Sequence, residues 1–113
     1  MNKYAQIALL AADLVDKGDD PVAAWEYASC SVLKKGSSSQ TKSCPKNTFL
    51  GIYGVNTTSK NGMYARKAKE WLDNNPETDI TAEKLWEIVM DGEEKKHNSQ
   101  MEVVLELHRN KKI

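Results

Sequence analysis

The chain has 113 residues, 40% of them hydrophobic, and its 16 basic and 16 acidic side chains cancel formally. That length supports one core and is too short for two comfortable domains, so residues 1–113 read as a single helical domain. No segment offers the roughly 20 consecutive apolar residues of a membrane span, Gln6, Asp13 and Asp16 interrupt any export signal, and two cysteines are too few for a disulfide scaffold; a cytoplasmic protein with free thiols and no membrane association is expected.

From Lys3 to Lys17, apolar residues recur at helical spacing, with Tyr4, Ile7, Ala8, Ala11, Leu14 and Val15 opposite Asn2, Gln6, Asp13 and Asp16. Gly18 supplies the stop. Asp20-Pro21 reads as an N-cap and first helical residue, after which Val22, Trp25, Ala28 and Val32 face the first helix, with Ala24 and Leu33 widening the stripe. Residues 34–43 carry no apolar side chain to anchor them in a core, which predicts a mobile or ligand-binding loop.

Cys44-Pro45 fits a helix start, with Cys44 as N-cap and Pro45 as first helical residue; Phe49, Leu50, Ile52 and Tyr53 make a short packed element ending near Gly54. Ser59 or Asn61 caps a helix from Gly62 through Asn74 that buries Tyr64, Ala65, Ala68, Trp71 and Leu72. Thr81 caps the next, with Ile80 and Leu85 as staple and Leu85, Trp86, Ile88 and Val89 as apolar face, and Asp91-Gly92 ends it. Ser99 and Glu102 have capping-box spacing, and Met101, Val104, Leu105 and His108 share a face, although Val103-Val104 also suits a strand. Arg109, Lys111 and Lys112 belong at the last helix's C-terminus, opposing its dipole before the chain frays. The expected fold is all-α, a compact orthogonal bundle of about five helices plus one short helix.

The charge is distributed asymmetrically. Lys34, Lys35, Lys42, Lys46, Lys60, Arg66, Lys67 and Lys69 are half of the 16 basic residues, and all 16 acidic ones lie outside the interval from Tyr27 to Lys69. Such an interval suits nucleic acid, a phosphorylated metabolite or an acidic protein, and equally an ordinary solvated surface once acidic residues fold beside it. Gly36 with Ser37, Ser38 and Ser39 adds backbone and hydroxyl donors but lacks the ordered phosphate-loop spacing. The helix carrying Arg66, Lys67 and Lys69 is the candidate for a groove-reading helix, although Lys67 points away from the side that Arg66 and Lys69 share. Tyr53 and Tyr64 flank Lys60 and could stack on bases, against partial burial with hydroxyls in solvent. Trp25, Trp71 and Trp86 read as core.

The most distinctive run is Ser43-Cys44-Pro45-Lys46 followed by Asn47-Thr48-Phe49-Leu50-Gly51. It resembles the signature of a family of small uncharacterised bacterial proteins in which Cys-Pro and a basic residue lead into Phe-Leu-Gly. The likeness extends to the opening helix, to Ala24-Trp25 and to the serine-rich stretch before Cys44; it implies a mostly helical fold and no activity.

A Cys44 at a helix start between Lys42 and Lys46 is placed to be a reactive or redox-sensitive thiol, the enzyme alternative, or a small hydrophobe beside Phe49. Cys30 lies too far along the chain for a Cys-x-x-Cys pair, and two cysteines with His97 and His108 at irregular intervals do not make a zinc site. No cofactor is implied. Asn56-Thr57-Thr58 matches a glycosylation acceptor, a match of little weight without an export signal. Three readings follow: a helical interaction module binding an anionic partner such as nucleic acid, a Cys44 thiol enzyme, and a structural homo-oligomer.

Overall fold

Helix starts in this chain are set by short polar side chains that take the first free backbone N–H groups. In the computed structural model, which describes residues 2–55 and 57–113, Asn2 Oδ1 accepts from Tyr4 and Ala5 N–H at 2.8 and 3.2 Å. Asp20 accepts from Val22 and Ala23, Ser59 from Gly62 and Thr81 from Lys84. The resulting helices are α1 Lys3–Asp16, α2 Pro21–Val32, α3 Ser43–Ile52, α4 Lys60–Asn74, α5 Ala82–Met90 and α6 Gln100–Arg109. The protein is thus an all-α bundle of six helices among the described residues. The Val103-Val104 pair is helical, and the Asn56 acceptor position lies outside the described residues.

Two starts differ from expectation. Lys42, not Cys44, holds the N-cap position of α3, making no side-chain cap bond, and Pro45 is the third helical residue. Proline is tolerated there because the first four N–H groups of a helix have no intrahelical acceptor. Ser99 precedes α6 with φ 67° and its side chain makes no cap bond, so the expected capping box with Glu102 does not form. His97 Nε2 instead accepts from Met101 N–H at 3.1 Å.

Helix α6 is the shared wall of the molecule. Its Val103 and Leu107 enter a core with Ile7, Ala8, Ala11, Trp25, Ala28, Phe49 and Leu50 from α1–α3. Its Met101, Val104 and Leu105 enter a second core with Ala65, Ala68 and Leu72 of α4 and Leu85, Trp86 and Val89 of α5. Val22 and Ile88, expected on apolar faces, remain partly exposed.

Polar ties at both ends fix helix direction. Asn2 Nδ2 donates to Ser99 Oγ at 3.2 Å, and Lys112 Nζ lies 2.5 Å from Asp13 and 3.0 Å from Asp16, so α1 and α6 run parallel. Gln100 donates to Asn61 Oδ1 at 3.1 Å, and His108 meets Asp73 at 3.1 Å, so α4 runs parallel to both. Helix α5 returns the other way: Arg109 reaches Ile80 O before its start, and Trp86 reaches Lys95 O. Lys112 is therefore an inter-helix partner rather than the frayed dipole partner expected. It is placed by a turn in which Lys111 takes φ 57° and Lys112 N–H returns to Leu107 O, a geometry usually given to glycine.

Helices α3 and α4 cross at backbone contact. A Cβ on Gly51 would lie 2.2 Å from Gly62 Cα, so the glycine of Phe-Leu-Gly is required by the crossing. Gly51→Ala should lower stability by about 3 kcal/mol, the upper range for overpacking, although alanine in a helix ordinarily gains about 1 kcal/mol over glycine. Urea denaturation reads the sign, and a stabilised variant would contradict the crossing.

The Asp73 carboxyl is held below its usual value of 3.8, first by the hydrogen bond from Lys69 and further by His108. Because the folded group is the stronger acid, its stabilisation is present above the unfolded value and is lost as pH falls through the lowered one. Asp73→Asn should be less stable than the wild type at neutral pH, with the deficit closing in acid. Denaturation curves across that range test this, and a pH-independent difference would refute it.

Candidate anion-binding site

Four helices begin around one short segment, residues 97–100. Ser99 is bonded to Asn2 before α1, Gln100 to Asn61 in the first turn of α4, and Asn98 Nδ2 lies 3.9 Å from Cys44 Sγ in the first turn of α3. Gln100 itself opens α6, and its side chain accepts from Asn98 N–H. Each start carries a partial positive charge of about half an elementary charge. The ends of α2 and α5 return to the same region, but the α5 carbonyl of Val89 is already taken by Lys67 Nζ at 3.0 Å.

The basic residues divide into two groups. Lys42 stands before α3, with Nζ 6.0 Å from the centre of the Tyr4 ring. Lys46 lies in the first turns of α3 and Lys60 opens α4; Lys3, outside the basic interval, opens α1. Lys34 and Lys35 follow α2 in a loop that Tyr4 ties to the start of α1 by donating to Ser39 O at 2.8 Å. Among the described residues none of these six lysines forms an ion pair. The second group is occupied: Arg66 donates to Thr57 O at 2.6 Å, Lys67 to Val89 O, and Lys69 pairs with Asp73 at 2.7 Å.

The 34–42 loop is anchored after all, by an amide rather than an apolar group. Gln40 is only 5% exposed; it accepts from Gly36 N–H at 3.0 Å and donates to Ser29 Oγ at 2.8 Å. Ser37 Oγ donates to Lys34 O and accepts from Gln40 N–H, so of the three serines only Ser38 and Ser39 keep hydroxyls without an intramolecular bond among the described residues.

The aromatic rings are engaged within the fold. Trp25, Phe49 and Tyr53 form a ladder with centroids 5.2 and 4.7 Å apart; burial, then the charge of Asp16, pushes the Tyr53 phenol up. Tyr64 meets Trp86 edge-on at 5.5 Å. Both tyrosines are half-buried and each meets another ring within the fold. Cys30 and Cys44 are both free, half-buried thiols. Among the described residues no group of three or more His, Cys, Asp or Glu is arranged to hold a metal ion, and no helix is long and apolar enough to cross a membrane. An open cleft of about 540 Å³ between α4 and α5 is lined by Arg66 and Lys67 together with Glu70, Asp91 and Glu93, a mixed-charge surface.

Sequence reasoning missed the amides Asn2, Gln40, Asn61, Asn98 and Gln100, because a buried amide and a solvated one look alike in a polar stretch. It missed Lys3 because that residue lies outside the charge interval.

Fold and site together define an all-α bundle in which the starts of α1, α3, α4 and α6 meet at residues 97–100. The chain belongs to a family of unknown function (DUF6979), whose model matches residues 1–113. No curated protein and no solved structure matches it.

Gln40→Ala should cost about 1–3 kcal/mol, since it leaves the buried Ser29 hydroxyl without its donor and removes the acceptor of Gly36 N–H, and should speed amide exchange at Gly36 before exchange in α1. Unchanged stability and unchanged Gly36 exchange would mean that the loop is held by other contacts.

Proposed function

We propose that this protein is a small helical interaction module that binds an anionic partner, nucleic acid ahead of an acidic protein, at the end where α1, α3, α4 and α6 begin. The observation that carries this reading is the tie of all four starts to residues 97–100, beside Lys3, Lys42, Lys46 and Lys60 and flanked by Lys34 and Lys35. Helix starts supply oriented N–H groups and the lysines supply mobile point charges, the combination that contacts phosphate. Arg66, the arginine of the basic interval and the residue type suited to bidentate base contacts, is held on Thr57 O. Phosphate-backbone binding with little base readout is therefore favoured over a groove-reading α4.

Fluorescence anisotropy with a labelled mixed-sequence duplex and a single strand, at low and physiological salt, tests the reading. Binding should weaken steeply with salt, and replacing Lys42, Lys46 and Lys60 by serine should reduce the salt slope on duplex by about two to three units, near one per phosphate contact. No binding at low salt, or a slope untouched by the triple substitution, would overturn it.

A second reading, a thiol site at Cys44, draws support from the placement of its Sγ in the first turn of α3 with the Asn98 amide beside it. Alkylation of Cys44 much faster than of Cys30, which is also half-buried, would favour it; equal rates would remove it.

A further inference from the structure

We propose that His97 is a protonation switch on the start of α6. Its Nε2 faces two groups that require opposite states of the same nitrogen. The Met101 N–H, 3.1 Å away, needs a lone pair, whereas the Glu102 carboxylate oxygen Oε2, 3.2 Å away, needs a proton. Oε2 is buried and, among the described residues, makes no hydrogen bond in this ring orientation, so accepting from a protonated Nε2 requires the imidazole to turn from Met101 toward Glu102. Neutral imidazole caps the helix and leaves Glu102 facing a lone pair; imidazolium satisfies Glu102 and releases the Met101 N–H.

The ring is held in this position by Trp86, which stacks on it with centroids 5.1 Å apart and planes at 29° while its own Nε1 donates to Lys95 O at 3.0 Å. Other titratable groups surround the assembly: Tyr64 of α4 against the edge of Trp86, the Cys44 thiol of α3 beside Asn98, and Glu87, Glu93, Glu94, Lys95 and Lys96 along the outer cleft over Trp86. Among the described residues none of these bonds to the imidazole, so the choice lies between Met101 and Glu102. The switch sits where it has leverage, because the three residues after His97 carry the ties to α3, α1 and α4. Exchanging the cap for the carboxylate loosens the first turn of α6 from the segment that aligns the other starts. This holds whatever the protein binds there.

The test uses the full ¹⁵N-labelled chain, following the His97 ring nitrogens and the Met101 amide by NMR through the imidazole titration. The Met101 amide should shift with the midpoint of His97, and its exchange protection, corrected for intrinsic rate, should fall about fivefold on protonation, the worth of one net hydrogen bond. Glu102→Gln, which keeps the shape and removes the charge, should lower the His97 midpoint. A Met101 amide indifferent to the His97 titration, or a midpoint unmoved in E102Q, would overturn the proposal.

Discussion

Two hydrophobic cores share one ten-residue helix, and this constraint organises the fold. Val103 and Leu107 are one turn apart and project to α1–α3, while Met101, Val104 and Leu105 project to α4 and α5, so α6 has almost no free side. Each such side chain contributes about 1.5–3 kcal/mol on burial, and neither core is closed without it. A helix buried on two sides cannot be aligned by amphipathicity alone. Its direction is set by polar ties at its ends, Asn2–Ser99 and Asn61–Gln100 at the start and Asp13/Asp16–Lys112 and Asp73–His108 at the finish.

Parallel alignment of α1, α4 and α6 has an electrostatic consequence. The macrodipoles of these three add at their common start and are partly offset by the ends of α2 and α5 that return there; α3 begins beside Asn98 and ends with Gly51 against the first turn of α4. At the opposite end three carboxylates, Asp13, Asp16 and Asp73, are paired with Lys112, Lys69 and His108. A formal charge of zero therefore conceals an uneven placement of ion pairs, most of which, among the described residues, gather where α1, α4 and α6 finish.

Much of the fold was legible from residue order. Asp20 stands before an amphipathic stretch, Ile80-Thr81 carries a staple and cap, and the apolar periods of α1, α4 and α5 place most core residues correctly. The failures share one physical cause. The cap of α6 and the hold on the 34–42 loop depend on tertiary partners: His97 displaces the Ser99–Glu102 box because Trp86 holds its ring in place, and Gln40 anchors a loop that has no apolar residue because Ser29 on α2 receives its amide. Gly51 gave no local sign of its role, since the need for a missing Cβ arises only when Gly62 arrives. The basic interval pointed to an anion but mixed two populations, lysines left at helix starts and cations bonded within the fold.

The most direct test of the proposed anion-binding end is an amide chemical-shift map of the labelled protein titrated with a short phosphodiester oligomer. Shifts should appear together at residues 2–5, 43–46, 60–63 and 97–101, four stretches remote in sequence that meet only if the helix starts converge. Shifts confined to the contiguous basic interval, or gathered at the Asp73–Lys112 end, would contradict that arrangement as the binding surface.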